Sequence, residues 1–460
     1  MIGWGHAAIL GSSSAIYNTA MVESLEITPA AGPVRGSIRP PGSKSITNRA
    51  LICAALAEGE SILAGALPSE DTQVMIESLR RLGIAVNATD GGQTPHLTGC
   101  GGKIPAAGAD LYIANSGTSV RFLTALSSLG QGRFRLDGTA RMRERPIADL
   151  LEGLAQLGVN LNSELGNGCP PVVVHAASLA GGRAKIRGDI SSQFLSGLLL
   201  VAPYAQHGVE LSIEGELVSQ PYIRLTLAVM RSFGVDVPGE NLRQFHIVPG
   251  KYRGQNYAIE PDASAASYFF AAAAITGGEA IVQGLSQQSL QGDVAFVECL
   301  ERMGCSVREQ EVGSREQGAG GIVMTGPGKG KKLHGISVNM NAISDTVQTL
   351  AAVALFADGP TTITGVAHIR HKETDRIGNL ALELRKFGAT VDELPDGLRI
   401  APPAKPQAAR IATYNDHRMA MSLALVGLKV PGVVIENPGC TGKTYPGFFD
   451  DLAKLVTGRG

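Results

Sequence analysis

The chain has 460 residues, of which 44% are hydrophobic and 18% charged, so a globular protein of more than one domain is expected. Its formal net charge of −1 gives no reason to expect a nucleic acid or a membrane surface as a partner. The six cysteines are scattered without a CxxC pair, so neither a zinc site nor a disulfide framework is indicated, and a reducing compartment is favoured.

The N-terminal segment, residues 1–24, differs from the rest of the chain. It is rich in Ser, Ala and Gly and carries no Lys or Arg. A secretory signal begins with basic residues, so we do not expect one here. We predict a disordered N-terminal extension over 1–24.

Two helical patterns then alternate along the chain. In the first, a polar cluster leads into an apolar run that ends near Gly. Its six copies span 44–59, 115–130, 189–208, 261–278, 344–359 and 415–432. In the second, a helical run ends in a Gly that is typical of a helix C-cap, and a β-rich segment follows. These glycines are Gly83, Gly158, Gly234, Gly304 and Gly388. A period of roughly 70 to 80 residues predicts six copies of an α/β unit with two helices and several strands, related by pseudo-symmetry in two lobes.

The N-terminal ends of the helices in the first pattern carry an unusual combination of residues. Asn, Ser, Asp and Thr at these starts are ordinary N-caps. Capping does not explain Lys44, Arg49, Arg121 and Arg418, because cations at a helix N-terminus oppose the macrodipole. Helix N-termini combined with Lys and Arg predict a site for a strongly anionic ligand.

Polar and charged side chains form nine clusters in chain order. Taken singly, each is also explained by a cap, a loop or a charged surface. Together they suit group transfer between anionic small molecules, because Lys and Arg bind phosphate and carboxylate while Asp345 and Glu373 can transfer protons. We found no sequence pattern typical of a metal site or of a Ser or Cys nucleophile. The clusters contain Lys44, Ser45 and Arg49; Gly117 and Thr118; Arg141, Arg143 and Arg145; Ser191, Ser192 and Gln193; Ser219 and Tyr222; Asp345; His368, Lys372, Glu373 and Arg376; Asp416, His417 and Arg418; and Lys443.

The segment around Lys443 resembles the end of a P-loop, so a nucleotide-hydrolysing protein is one alternative. A P-loop requires Gly five positions before Gly442, where Asn437 stands, and a helix that starts at the lysine, whereas Pro446 follows closely. We interpret Lys443 as a phosphate-binding lysine outside a P-loop. A non-catalytic anion-binding protein is a further alternative, which the pairing of Asp345 and Glu373 with the cations argues against.

Nine ordered motifs from about residue 25 to 457 resemble the family of 5-enolpyruvylshikimate-3-phosphate synthases, also called 3-phosphoshikimate 1-carboxyvinyltransferases. They read PGSKSITNRAL, NSGTSVR, RMRERPI, GDISSQFL, SQPYI, SDTVQT, KETDRI, YNDHRMAM and PGCTGKTYPGFF.

This resemblance implies a two-lobed, inside-out α/β barrel of six βαβαββ-type repeats, three in each lobe. Residues 25–41 and 262–460 would form lobe 1 and residues 42–261 lobe 2, with hinges near 41–42 and 260–262. The implied reaction transfers the enolpyruvyl group of phosphoenolpyruvate to the 5-hydroxyl of shikimate 3-phosphate and releases phosphate by addition and elimination. No cofactor or metal is implied. A cytoplasmic monomer is expected.

The resemblance also implies roles for individual residues. Asp345 would be the base for the attacking hydroxyl, Glu373 would protonate and later deprotonate the methylene carbon, and Lys44 would neutralise charge on both substrates. Shikimate 3-phosphate would contact Lys44, Ser45, Arg49, Ser191, Ser192, Gln193, Ser219, Tyr222, Asp345, Lys372 and His368. Phosphoenolpyruvate would contact Lys44, Gly117, Arg141, Gln193, Arg376, Arg418 and Lys443.

Two residues depart from the family pattern. His368 stands where many members have Asn, and Phe122 where many glyphosate-sensitive members have Pro. Glyphosate is an implied candidate inhibitor, and Gly117 leaves room for it, while Phe122 leaves sensitivity open. The sister family, UDP-N-acetylglucosamine enolpyruvyl transferase, is the nearest alternative, but residues 138–147 lack the reactive Cys of that family.

Overall fold

The computed structural model describes residues 23–239, 241–310 and 320–457. These ranges contain twelve α-helices and 22 β-strands. The helices are α1 (Lys44–Leu56), α2 (Glu70–Arg81), α3 (Gly117–Ser127), α4 (Ala148–Gln156), α5 (Ser192–Val201), α6 (Gln220–Ser232), α7 (Ala263–Thr276), α8 (Phe296–Arg302), α9 (Val347–Ala354), α10 (Gly378–Lys386), α11 (His417–Ala424) and α12 (Phe448–Thr457). The strands are β1 (Ser24–Glu26), β2 (Arg35–Ile38), β3 (Glu60–Ala64), β4 (Ala85–Asn87), β5 (His96–Thr98), β6 (Gly108–Tyr112), β7 (Gln131–Asp137), β8 (Asn160–Ser163), β9 (Val172–Ala177), β10 (Gly182–Arg187), β11 (Val209–Glu214), β12 (Gln244–Ile247), β13 (Asn256–Ala258), β14 (Glu279–Gln283), β15 (Ser306–Gln310), β16 (Gly321–Thr325), β17 (Ser337–Asn339), β18 (Thr361–Thr364), β19 (Thr390–Leu394), β20 (Gly397–Ala401), β21 (Arg410–Ile411) and β22 (Val434–Glu436).

The strands of the described ranges form six sheets with one shared topology. In each, two strands pair in parallel and the second of them pairs antiparallel with a third. The sheets are β13-β3-β5-β4, β6-β7-β9-β8, β10-β11-β12, β15-β16-β14-β2, β17-β18-β20-β19 and β1-β22-β21. Two neighbouring parallel strands need a crossover connection between them. A helix of the first pattern provides it, as α3, α5, α9 and α11 do; we call the helices of the first pattern the inner helices. The expected mixed α/β fold is confirmed.

Local sequence signals place the helix ends. The five predicted C-cap glycines all adopt a left-handed backbone, with φ between +83° and +100°. At Gly83, for example, the N–H donates to the carbonyl of Arg80 and the next N–H to that of Leu79, which closes the helix end. At the opposite ends, the side chains of Ser43, Ser116 and Asp416 accept backbone hydrogen bonds as N-caps.

Two hydrophobic clusters form the core. One contains residues between Ile46 and Ile259, and the other combines residues from Ile27 to Ile38 with residues from Ala263 to Leu455. We call residues 42–261 the central region, and residues 23–41 with 262–457 the terminal region. The inner helices α1 and α7 are buried on nearly all sides, as their apolar composition predicts.

The chain crosses between these regions twice, and the two crossings are hydrogen-bonded to each other. The N–H of Ser43 donates to the carbonyl of Glu260, and the N–H of Asp262 to that of Pro41, both at 2.8 Å. As a result, β2 pairs with β14 in the terminal region, while β13 pairs with β3 in the central region.

Sheet pairing begins within the last residues of the segment predicted as an extension. Ser24 pairs with Glu436 in β22, and the carbonyl of Glu23 accepts from the N–H of Asn437. The rest of the predicted extension, 1–22, lies outside the described residues.

Candidate active site

One cavity is lined by both regions. Its lining residues are Lys44, Ser45, Arg49, Asp71, Gly117, Thr118, Arg121, Arg145, Pro146, Ile190, Ser191, Ser192, Gln193, Ser219, Tyr222, Asp345, His368, His371, Lys372, Glu373, Arg376 and Arg418. The first residues of α1, α3 and α5 and the start of α11 reach it, so helix N-termini and cations share one space.

The cavity brings most of the predicted site residues together, and two predicted residues lie outside its lining. Arg141 donates instead to the backbone carbonyls of Lys372, at 3.0 Å, and Glu373, at 3.2 Å. Lys443 is next to a lining residue, with its Nζ 3.5 Å from a carboxylate oxygen of Glu373. The residues brought together are Lys44, Ser45, Arg49, Gly117, Ser191, Ser192, Gln193, Ser219, Tyr222, Asp345, His368, Lys372, Glu373, Arg376 and Arg418.

Three charged lining residues, Arg121, Arg145 and Asp71, were not among the predicted contacts. The sequence could have identified Arg121 as a site residue, because it is a cation at a helix start. The indication for Arg145 was weaker and came from its position in one cluster with Arg141. Nothing in the sequence indicated Asp71, since an acid in the first turn of a helix is ordinary.

Asp345 is the anion around which the cations gather. Its carboxylate accepts from Lys372 at 2.6 Å, from Arg418 at 2.7 Å and from Arg376 at 3.3 Å. The hydroxyl of Tyr222 donates to it at 3.3 Å. Burial opposes ionisation of this carboxyl, but the surrounding cations prevail and hold its pKa well below its usual range.

Glu373 sits in a second set of cations. Its carboxylate lies 2.8 Å from Arg376, 3.5 Å from Lys443 and 3.8 Å from Arg145. Burial again opposes the charge, and these cations again outweigh it, so the pKa of Glu373 is well below its usual range. Both candidate proton-transfer groups are therefore ionised in the ligand-free protein.

Positive charge is in excess along the cavity. Seven Lys and Arg side chains line it, against the three carboxylates of Asp71, Asp345 and Glu373. The Nε–H groups of Arg121 and Arg145 are buried and have no hydrogen-bond partner. Buried donors without partners are costly, so they favour an anionic ligand that would accept from them.

Gly117 permits the two arginines to approach the start of α3. A Cβ at this position would lie 2.3 Å from Nη2 of Arg145 and 2.5 Å from Nη1 of Arg121. Arg121 in turn donates to the side-chain oxygen of Gln193 at 3.2 Å. Any side chain at position 117 would therefore displace both guanidinium groups.

Arg49 lines the cavity, but its guanidinium bonds within the central region. It donates to Thr226, to Ser196 and to the backbone carbonyls of Ser45 and Tyr222. The ring of Phe122 lies 5.3 Å from its guanidinium carbon, in cation–π geometry. Phe122 thus packs against Arg49 and is not among the lining residues.

His368 contacts the central region. Its Nε2 lies 3.3 Å from the hydroxyl oxygen of Ser219, and the ring is buried. Burial, assisted by the charge of Lys372, lowers the pKa of His368 to about 3, so the imidazole is neutral at physiological pH.

The surroundings of Lys443 contradict the P-loop alternative. A 3₁₀-helix, Pro438–Lys443, ends at this lysine, and α12 begins only at Phe448. A P-loop lysine stands at the start of a helix, where the backbone amides bind phosphate.

Within residues 23–239, 241–310 and 320–457, no helix is long and apolar enough to cross a membrane. No group of three or more His, Cys, Asp or Glu side chains in the same ranges could hold a metal ion.

Comparisons with known proteins agree on one family. The family model for EPSP synthase (3-phosphoshikimate 1-carboxyvinyltransferase) matches residues 29–452. A 3-phosphoshikimate 1-carboxyvinyltransferase of Nostoc punctiforme is 48% identical over 437 residues, covering 95% of this chain and 100% of the relative. Its counterpart in Shewanella amazonensis is 45% identical over 426 residues, covering 92% of this chain and 97% of the relative.

Solved structures share the fold. An EPSP synthase from Acinetobacter baumannii superposes with a TM-score of 0.78 at 25% identity, covering 94% of this chain and 98% of the other. The enolpyruvyl transferase NikO of Streptomyces tendae, at 21% identity, matches in fold with a TM-score of 0.73 over 94% of this chain and 97% of the other. The cavity, the ordered motifs and these matches together establish that the chain belongs to the EPSP synthase family.

Proposed function

We propose that this chain is a 3-phosphoshikimate 1-carboxyvinyltransferase. It transfers the enolpyruvyl group of phosphoenolpyruvate to the 5-hydroxyl of shikimate 3-phosphate and releases phosphate. The observation that carries the proposal is one cavity whose lining combines seven Lys and Arg side chains with Asp345 and Glu373. The names of the relatives support the same activity.

The excess of cations suits two substrates that each carry a phosphate and a carboxylate. A ring of fixed cations stabilises an intermediate that keeps both groups, without reorganisation during the reaction. In the proposed arrangement, Arg141 keeps the part that the resemblance gave it, and Arg145 is a further contact, since Arg145 lines the cavity and has an unpaired buried N–H. The other proposed phosphoenolpyruvate contacts are Lys44, Gly117, Gln193, Arg376, Arg418 and Lys443. Shikimate 3-phosphate would contact Lys44, Ser45, Arg49, Ser191, Ser192, Gln193, Ser219, Tyr222, Asp345, Lys372 and His368.

The two carboxylates divide the proton transfers. Asp345 accepts the proton of the 5-hydroxyl as that oxygen bonds to C2 of phosphoenolpyruvate, while a proton on Glu373 passes to the methylene carbon. In the elimination step, Glu373 removes a proton from the new methyl group, the C–O bond to phosphate breaks, and the departing phosphate takes up one proton while Asp345 gives up the proton that it accepted. Lys44 neutralises charge on both substrates.

Substrate binding would prepare these carboxylates for their roles. Burial opposes their ionisation, but in the ligand-free protein Arg418, Lys372 and Arg376 hold the pKa of Asp345 low, and Arg376, Arg145 and Lys443 hold that of Glu373 low. Anionic groups of the substrates compete for the same cations, which raises the pKa of each carboxylate toward the range in which it can accept and donate protons.

The two core regions are proposed to be lobes that close over the substrates as an inside-out α/β barrel. Residues 25–41 with 262–460 would form lobe 1, and 42–261 lobe 2. Hinges near 41–42 and 260–262 are supported by the paired crossings there. We further propose a cytoplasmic location, because all six cysteines are free, and a monomer, as the resemblance implies. Glyphosate is a candidate competitor of phosphoenolpyruvate, tested by inhibition at varied phosphoenolpyruvate.

A phosphate-release assay tests the activity. Release is expected only when phosphoenolpyruvate and shikimate 3-phosphate are both present. Release with UDP-N-acetylglucosamine in place of shikimate 3-phosphate would favour the sister activity, although the cavity lining contains no Cys. Release from ATP alone would reject both transferase assignments.

A further inference from the structure

Asp71 is a buried carboxylate with no part in the proposed chemistry. It lies in the first turn of α2, is 3% exposed and lines the cavity. Its Oδ2 lies 3.5 Å from Nζ of Lys44, and its Oδ1 lies 3.5 Å from Nζ of Lys443. One carboxylate therefore bridges two lysines.

The two lysines come from different regions of the molecule. Lys44 begins α1 in the central region, and Lys443 ends a 3₁₀-helix in the terminal region. Lys443 also donates to the backbone carbonyl of Asn115 at 2.6 Å and lies 3.5 Å from Glu373. Lys443 thus contacts Asp71 and Asn115 in the central region and Glu373 in its own, terminal region.

The simplest alternative is that Asp71 only stabilises the N-terminus of α2 as an acidic residue. Glu70, in the same turn, is exposed and can serve that purpose. A surface position suffices for a helix-dipole effect, whereas burying a carboxylate is costly unless it is paired. The burial and the two lysine partners of Asp71 therefore need another explanation.

We infer that Asp71 is a positioning residue, whose carboxylate holds the ammonium groups of Lys44 and Lys443 together so that both face the anionic substrate. The inference rests on the proposed function, in which both lysines contact phosphoenolpyruvate. Without it, the two like charges would repel each other, and Glu373 would be the one carboxylate left beside Lys443.

Steady-state kinetics of Asp71→Asn test this role, with phosphoenolpyruvate varied at saturating shikimate 3-phosphate. We expect kcat/KM for phosphoenolpyruvate to fall at least about tenfold, which corresponds to ~1.4 kcal/mol. Asp71→Glu keeps the charge with a longer reach and should recover part of the loss. Glu70→Gln, the matched control for the helix dipole, should match the wild type.

A purely electrostatic effect of Asp71→Asn would change kcat/KM in the opposite direction. Removing a negative charge from an anion site would by itself strengthen phosphoenolpyruvate binding. An unchanged or increased kcat/KM in Asp71→Asn would therefore overturn the inference.

A double-mutant cycle separates positioning from a general structural defect. In a Lys443→Gln background, Asp71→Asn should cost clearly less than in the wild type, because one of its two partners is gone. Equal losses in both backgrounds would overturn the role. If Asp71→Asn fails to fold, Asp71→Glu decides, and a wild-type KM for phosphoenolpyruvate in that variant would overturn it.

Calorimetric titration with phosphoenolpyruvate alone needs no turnover. A wild type that lacks transferase activity would reject the proposed function. The comparison of Kd between wild type and Asp71→Asn would still test the positioning role, with about a tenfold weaker affinity expected in the variant. Equal affinities would count against it.

Discussion

Arg145 and Glu373 face each other across the cavity, with Nη1 of the guanidinium 3.8 Å from a carboxylate oxygen, and they come from different regions of the chain. Both side chains are buried. Arg145 is also held by Asn115, whose backbone carbonyl accepts from it at 2.9 Å. An anionic ligand that binds Arg145 therefore takes a partner from Glu373, which couples substrate binding to the group proposed to transfer the proton.

Glu373→Gln should abolish turnover while substrate binding survives. The amide keeps the size of the side chain but cannot accept and return a proton, so kcat is expected to fall by about 10² to 10⁴. Dissociation constants for both substrates, measured by calorimetry, should change only a few-fold. A comparable loss of affinity would remove Glu373 from the proton-transfer role.

Gly117→Ala should weaken phosphoenolpyruvate binding without unfolding the protein. The new Cβ would lie 2.3 Å from Nη2 of Arg145, and because this is the end of a long side chain, the guanidinium can move aside. We expect KM for phosphoenolpyruvate to rise about tenfold, with a nearly unchanged Tm. Gly328→Ala is the matched control, since Gly328 is exposed with open space around it. A wild-type KM in Gly117→Ala would show that Arg145 does not bind this substrate.

Arg49→Lys should lower stability. Lys cannot reproduce the fork of hydrogen bonds to Thr226, Ser196 and two backbone carbonyls, and buried acceptors would lose their partners. We expect the free energy of unfolding, measured by urea denaturation, to fall by about 2 to 4 kcal/mol. Arg224→Lys, on the exposed side of α6, should stay within about 0.5 kcal/mol of the wild type. If both variants match the wild type, the bonds of Arg49 contribute little to stability.

His368→Asn should reduce the loss of stability on acidification. Burial lowers the pKa of His368 from 6.5 to about 3, so the unfolded chain binds a proton between these values that the folded protein excludes. This group therefore stabilises the fold above pH 6.5, and its contribution is lost as pH falls toward 3, by at most about 1.4 kcal/mol per pH unit.

Unfolding free energies between pH 6.5 and 4.5 check this prediction. The curve of the Asn variant should be flatter than that of the wild type. His246→Asn, at an exposed position on β12, is the matched control for the substitution itself. Parallel curves for the wild type and His368→Asn would show that folding does not lower the pKa of His368.

Much of the fold is encoded locally and could be predicted from the sequence. A Gly that ends a helix, such as Gly83, needs only its own left-handed backbone and the preceding turn. The repeated apolar runs predicted the buried inner helices for the same reason. Lys44 and Arg418 stood out because a cation at a helix start contradicts a local rule.

Tertiary structure decided the rest of the site. Arg141 and Arg145 are four residues apart in one Arg-rich cluster, and only the packing of that turn sends Arg145 into the cavity and Arg141 to the backbone of Lys372. Local sequence likewise does not distinguish Glu70 from Asp71, because both are acids in the first turn of α2. The partners of Asp71 come from α1 and from the C-terminal end of the chain, and such long-range pairs are set by the crossing of the chain between the two regions.

The amino-acid sequence by itself thus determined the helices, their caps, the repeat and the chemical types that gather at the helix starts, because these depend on neighbours within a few turns. Which cation faces which carboxylate was decided only when two distant regions met, since charge interactions depend on distances of a few ångströms that local sequence does not set.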